Sequence, residues 1–142
     1  MHALIIVLFW LHFIGIAMGL GGGIALSQII PRLVAAPPAE REALDTLQAV
    51  MSRVTVAGLV LLLITGPLLL WLRFGSFALM PVWFWIKMLF VATLVIGVFT
   101  NKWAARRFGA GESRYVSLMV IGGRFAGVSA VLAMLFAVMA FN

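Results

Sequence analysis

The sequence contains no cysteine and very little acidic charge. Four of its 142 residues are Asp or Glu, against ten Lys or Arg and two His. The absence of cysteine excludes a disulfide framework and any metal site built on thiolates. Charged residues of both signs make up only 10% of the chain, whereas soluble domains carry about 25%. A soluble globular domain is therefore excluded.

Apolar residues make up 65% of the chain, and the mean hydropathy of the whole sequence is +1.20. The long apolar runs do not alternate with polar residues, so they predict α-helices that satisfy their own backbone hydrogen bonds in hydrocarbon. We expect an all-α polytopic membrane protein, a four-transmembrane-helix bundle forming one domain over residues 1–142. The net charge of +6 does not indicate a nucleic-acid partner, because no solvated basic face accompanies it.

Four spans are predicted, at about residues 3–30, 54–72, 81–100 and 116–141. A short amphipathic surface helix over residues 40–53 is expected to run into the second span. Three prolines are predicted to shape the helices: Pro31 ends the first, Pro67 kinks the second and Pro81 begins the third. Ser113 is a candidate cap for the fourth.

The distribution of Lys and Arg predicts the orientation of the chain. Seven of the ten basic residues fall in the first and third connections, and the positive-inside rule places those connections in the cytoplasm. Both termini are then expected on the non-cytoplasmic side. We expect a bacterial inner membrane as the location and the lipid bilayer as the solvent.

Three basic or titratable residues lie inside the apolar spans: His12, Lys87 and Arg124. A charge at the bilayer centre costs about 2.5–3.5 kcal/mol on insertion scales, so such residues are candidates for function. His12 lies roughly 14 Å and Lys87 roughly 9 Å from the outer ends of their helices. The antiparallel topology therefore puts both in the outer half of the membrane, where they could face one pocket.

His12 shares its helix face with a stripe of glycines, Gly15, Gly19 and Gly22 or Gly23. Two interpretations of this stripe remain open. A neutral imidazole beside a glycine groove is the arrangement that a haem axial ligand needs, which would make Gly15 and Gly19 part of a cofactor site. Alternatively, the glycines form a helix-packing seam and His12 donates a hydrogen bond across it.

Lys87 and Arg124 also allow several interpretations. Lys87 could pair with a carboxylate, relay protons or extend its stem to the outer interface. Arg124 could bind an anion or lie in a tight seam between Gly123 and Gly127. Because no acidic residue lies in any span, we expect an anionic ligand, such as a porphyrin carboxylate, a lipid head group or a partner chain, to supply the counter-charge.

Several short motifs resemble the HemJ family of four-helix protoporphyrinogen oxidases and the wider CopD-like group. The resemblance covers nearly the whole chain in layout. The motifs that carry it are Leu11-His12 followed by glycines and Pro31-Arg32-Leu33, Met51-Ser52-Arg53 before a span with a central proline, Trp83-Phe84-Trp85-Ile86-Lys87, Arg106-Arg107-Phe108 and Ser113-Arg114-Tyr115.

This resemblance implies a haem b cofactor with His12 as its iron ligand and Lys87 as the essential catalytic lysine. Arg124 would join Lys87 in holding propionates or a porphyrin substrate. The implied reaction is the six-electron oxidation of protoporphyrinogen, with electrons passed to a quinone or a respiratory partner. A second iron ligand would come from Met18, another Met or a partner subunit, or be absent. The chain departs from the family in its fourth helix, where the acidic motif is replaced by Val120-Ile121-Gly122-Gly123-Arg124.

A second function remains open, that of a non-catalytic accessory or structural subunit of a larger membrane complex. In that case the glycine seams and the aromatic residues of the third span serve helix packing. Under either function the small bundle is expected to form homo-oligomers or to join a complex.

Overall fold

The structure, a computed structural model, describes residues 2–75 and 80–141. It consists of four long helices and one short 3₁₀ turn, and the described residues contain no strand. The helices are α1 (His2–Ala35), α2 (Pro38–Phe74), α3 (Val82–Gly109) and α4 (Val116–Phe141), with the 3₁₀ turn at Ser113–Tyr115. Each helix is long and apolar enough to cross a membrane, so the predicted all-α architecture with four spans is confirmed.

The ends of the helices differ from the sequence predictions. The prediction that Pro31 ends the first helix is wrong, because α1 continues to Ala35. A proline removes one helical hydrogen bond, and here burial of Ile30 (3% exposed) and Leu33 (1% exposed) stabilises the turns on both sides of it. The amphipathic segment at residues 40–53 does run into the second span as predicted, and the two form the single helix α2.

The third and fourth helices also begin and end differently. Pro81 is the N-cap of α3, one position before the first helical residue. The basic segment after Thr100 is still helical, and α3 ends only at Gly109. Ser113 does not cap α4: it opens the 3₁₀ turn, where no side-chain cap hydrogen bond forms. The sequence also predicts a tight turn at Gly75-Ser76: Gly75 has a positive φ of 67°, while Ser76 lies outside the described residues.

The helices pack as two hairpins. Helix α1 packs along α2 and α3 along α4; α1 also contacts α4, and α2 meets α3 over a short stretch. Among the described residues, no Cα atom of α1 lies within 8 Å of α3, and the same holds for α2 and α4. Helices α1 and α3 therefore stand diagonally opposite each other in the bundle.

A cluster of buried apolar residues lies at the end of the bundle that carries the α1–α2 and α3–α4 connections, which we call the basic end. It contains four residues from three helices: Leu26, Ile30, Ala104 and Met119. The outer surfaces of the helices expose large apolar side chains, such as Trp10 (68% exposed) and Phe125 (66% exposed). An apolar outer surface of this kind suits a lipid environment.

Candidate functional site

His12 lies between α1 and α2, where its ring contacts a buried threonine. The Nδ1 atom of His12 lies 2.8 Å from the Oγ1 atom of Thr65, which is 1% exposed. Gly66 lies beside the imidazole: a Cβ atom added there would be in ordinary van der Waals contact with the Cε1 atom of His12, at 3.6 Å. The half-buried ring is thus held at one edge by α2.

The hydrogen bonds of Thr65 determine which nitrogen of His12 carries the proton. The Thr65 hydroxyl donates to the Leu61 carbonyl at 2.7 Å, the usual i−4 bond of a threonine within an apolar helix. A hydroxyl has one proton, so Oγ1 is left to accept from the Nδ1–H group of His12. In the neutral ring this assigns the lone pair to Nε2, which makes no hydrogen bond within the described part of the chain.

Lys87 is the charged residue that the structure brings to His12. It lies in α3, diagonally opposite α1, yet its ammonium group is close enough for its charge to act on the His12 ring. That the two residues face one pocket stays a prediction from the sequence.

The glycines beside His12 mediate the packing of α1 on α2. A Cβ atom added to Gly15 would meet the Gly58 carbonyl oxygen and the Leu62 side chain, both at 3.0 Å. One added to Gly22 would overlap the Thr55 hydroxyl. Gly19 has open space around its own Cβ position, but its backbone nitrogen would be 2.7 Å from a Cβ atom on Gly58. In this structure α2 thus occupies the groove that the sequence offered for a macrocycle.

Arg124 lies far from His12. The core cluster sets α1 and α4 level, because it contains Leu26 of α1 and Met119 of α4. At the helical rise, His12 is about 21 Å beyond Leu26, whereas Arg124 is only about 8 Å beyond Met119. The guanidinium is also exposed on the outside of α4. The structure therefore does not place Arg124 in a common site with His12 and Lys87.

We looked for further metal ligands near His12 among the described residues. They contain no group of three or more His, Asp or Glu side chains that could hold a metal ion. Met18, the named candidate for a second iron ligand, packs against Gly58 and lies about 9 Å along α1 from His12. Any metal held here would thus use His12 as its one protein ligand from this region.

Two residues of the site escaped the sequence analysis. Thr65 is the hydrogen-bond partner of His12, but it lies 53 positions away and no local pattern links them. Gly58 forms the α2 side of the seam, where an added Cβ atom would meet backbone atoms of Gly15 and Gly19 at 2.7 Å. The sequence contained one signal for Thr65: it is a polar residue next to the Gly66-Pro67 pair within an apolar span.

Comparison with known proteins found no matching family model, no matching curated protein and no matching solved structure.

Proposed function

We propose that this chain is a haem b-binding membrane redox protein in which the Nε2 atom of His12 is the iron ligand. One observation carries the proposal: the Thr65 hydroxyl holds the His12 Nδ1–H group and leaves the Nε2 lone pair available to a ligand. Histidines that ligate metals commonly donate their other ring N–H group in this way, which fixes the tautomer and the orientation of the ring.

The surroundings of His12 fit a haem better than a small metal ion. A haem needs only one or two axial ligands from the protein, whereas a protein-only metal cage needs three or four. With α2 filling the Gly15 and Gly22 positions, the macrocycle would have to lie on the side of the imidazole that faces Lys87. The Lys87 ammonium would then pair with a propionate or with a carboxylate of a porphyrin substrate.

The resemblance of the short motifs to the HemJ family indicates which chemistry we propose. A bound haem would supply one-electron transfer between a porphyrinogen and a membrane acceptor such as a quinone. The roles of this chain's own residues are to hold the ring through His12, to keep that imidazole oriented through Thr65, and to neutralise a carboxylate through Lys87. Arg124 takes no part in this site.

The proposal includes a location and an orientation. The basic end carries six Lys or Arg residues, in and beside the two connections that meet there, and we assign it to the cytoplasmic side of a bacterial inner membrane. His12 and Lys87 then lie in the half of the membrane farther from the cytoplasm. The electron acceptor would reach them from within the lipid or from a partner subunit.

The test is an absorption spectrum of the detergent-purified protein, oxidised and then reduced with dithionite. A Soret band and an α band should be present in the natural sequence and disappear in His12→Ala. The control is His2→Ala, which removes the other histidine, exposed at the start of α1, and should leave both bands unchanged.

The opposite results would contradict the proposal. A protein that stays colourless after haem is supplied, although folded and monodisperse, would rule out haem binding and favour an accessory subunit. Bands that survive in His12→Ala would show that another residue holds the iron.

A further inference from the structure

Arg124 presents a positive charge on the outer surface of the fourth span. It is exposed, and its neighbours on that surface are apolar and exposed as well: Ile121 (50%), Phe125 (66%) and Val128 (60%). Among the described residues, no carboxylate lies within ion-pair distance of it. A guanidinium facing lipid without a counter-charge is costly, so something outside the bundle must neutralise it.

The chain itself has no carboxylate at this depth. Its acidic residues are Glu40, Glu42, Asp45 and Glu112. The first three lie in the opening turns of α2, and Glu112 lies before α4, where it is bound by Arg107 at 3.1 Å and Arg114 at 2.9 Å. A second copy of this chain would therefore bring no acid to Arg124 either, which argues against self-association as the means of neutralising it.

The direction of the side chain indicates where the missing anion lies. Side chains on an α-helix tilt toward its N-terminus, and the N-terminus of α4 is at the basic end. Arg124 is eight residues into α4, about 12 Å from Val116, and a long arginine stem shortens the remaining distance to the interface. The guanidinium thus reaches toward the head groups of the leaflet at the basic end.

An interfacial layer can be recognised where α4 begins. The rings of Trp103 and Tyr115 meet edge to face at 5.0 Å, with Arg107 over the first ring and Arg114 over the second. Paired aromatic and basic side chains are typical of the membrane–water boundary. Ser117 is exposed and lies on the same face of α4 as Arg124, two turns closer to this boundary. A polar side chain is thus present between Arg124 and the membrane–water boundary.

We propose that Arg124 binds the head group of an anionic phospholipid in the leaflet at the basic end. The lipid phosphate would be drawn below the aromatic layer by the guanidinium, while its acyl chains cover the exposed apolar surface around Ile121 and Phe125. Attraction of anionic lipid by the other basic residues at this end places such lipids nearby. This site is separate from His12 and does not require haem.

Native mass spectrometry of the detergent-purified protein, titrated with phosphatidylglycerol or with phosphatidylcholine of the same acyl chains, tests the proposal. The natural sequence should bind one phosphatidylglycerol about fivefold more tightly than phosphatidylcholine, the effect expected of one arginine near an anionic lipid surface. Arg124→Leu should abolish this preference and Arg124→Lys should retain most of it. The matched control is Arg106→Leu, which removes an exposed charge near the end of α3 and should change little.

Three outcomes would overturn the proposal. The natural sequence could show no preference for the anionic lipid, or Arg124→Leu could keep the preference. Arg106→Leu could also lose it to the same extent, which would show a diffuse surface effect. If Arg124→Leu instead released a stoichiometric membrane protein while lipid binding stayed unchanged, the anion would belong to a carboxylate of that partner. Leucine suits a lipid-facing helix position, and circular dichroism would confirm that each variant is folded.

Discussion

The two helical hairpins of this protein use the same packing device but differ in what their polar groups do. In each hairpin, glycines bring two helix backbones together: Gly15, Gly22 and Gly58 between α1 and α2, and Gly97 and Gly122 between α3 and α4. Between α3 and α4, the Asn101 amide donates to the Met119 carbonyl at 2.6 Å, and the Thr93 and Ser129 hydroxyls share a hydrogen bond of 3.0 Å. Those polar groups fasten the two helices.

The α1–α2 hairpin contains a polar pair of a different kind. Its His12–Thr65 contact uses one nitrogen of the imidazole and leaves a lone pair on the other. The Asn101 amide, by comparison, bonds directly to a carbonyl group of the facing helix. Under the proposed function, the first hairpin presents a ligand, whereas the second is stabilised by its polar residues.

The largest expected effect on stability comes from closing the tightest glycine contact, in Gly58→Ala. The added methyl group would meet backbone atoms of Gly15 and Gly19 at 2.7 Å, and helix backbones cannot yield as a flexible side chain can. We expect a loss of about 1–3 kcal/mol in the free energy of unfolding, the usual cost of overpacking. Unfolding of the protein in mixed micelles by increasing SDS would measure it.

Gly21→Ala is the matched control, because a Cβ atom there would have nothing within 4 Å. Its midpoint of unfolding should stay the same or rise slightly. Equal losses in the two variants would show that the α1–α2 hairpin does not depend on close approach at Gly58.

The next largest effect should follow removal of the His12 partner, in Thr65→Val. Valine keeps the shape of the side chain but cannot accept from the Nδ1–H group, so the imidazole would lose its fixed orientation. If haem binds as proposed, we expect its affinity to fall roughly 10–100-fold, as for other outer-shell partners of metal ligands. Haem titration followed by the Soret band would measure this. Thr65→Ser, which keeps the hydroxyl, should bind almost as well as the natural sequence, and a similar loss in both variants would contradict the assigned role.

A smaller effect is expected in the other hairpin, from Asn101→Leu. This variant removes the amide that donates to the Met119 carbonyl between buried helix surfaces. Hydrogen bonds between membrane helices contribute about 0.6 kcal/mol on average and up to about 1.7 kcal/mol, so we expect a loss in that range without any change in haem binding. Unfolding in SDS again provides the measurement, with Thr100→Val as a neighbouring control. If Asn101→Leu also lost haem, the two hairpins would depend on each other for function, which would contradict their separate roles.

The smallest effect concerns Glu112 at the basic end. Hydrogen bonds from Arg114 and Arg107 hold the pKa of this carboxyl below its usual range. A lowered pKa in the folded state means that the ion pairs stabilise the protein above the pKa of the unfolded state and that this contribution disappears as the pH falls through the folded pKa. The group is exposed, so the effect should be slight and should vanish in high salt. Melting temperatures of Glu112→Gln and the natural sequence should differ at neutral pH and converge in acid; a constant difference would contradict the account.

Much of this fold follows from the sequence, because runs of apolar residues allow few structures other than membrane helices. The ends of the helices do not follow so simply. Whether a helix stops at Pro31 depends on the burial of Leu33, which is a property of the assembled bundle. The merging of the amphipathic segment into α2 was expected, since no helix-breaking residue separates it from the second span.

The candidate site was predictable in part. Counting residues from the helix ends predicts a shared depth for His12 and Lys87, and the Lys87 charge acts on the His12 ring in the structure. The same counting could not separate Arg124 from them, because the register between α1 and α4 is set by the packing of the bundle, which brings Leu26 and Met119 into one buried cluster. Nor could it identify Thr65, whose pairing with His12 depends on how α1 and α2 align.

The availability of the Nε2 atom of His12 is the central claim, and ¹⁵N NMR of the haem-free protein labelled at histidine tests it most directly. His2→Gln would leave a single histidine signal to assign. We expect a neutral ring with the proton on Nδ1 and none on Nε2, and a shifted Nδ1 signal in Thr65→Val. A proton on Nε2 instead, with no response to Thr65→Val, would contradict the assignment and remove the structural basis for His12 as an iron ligand.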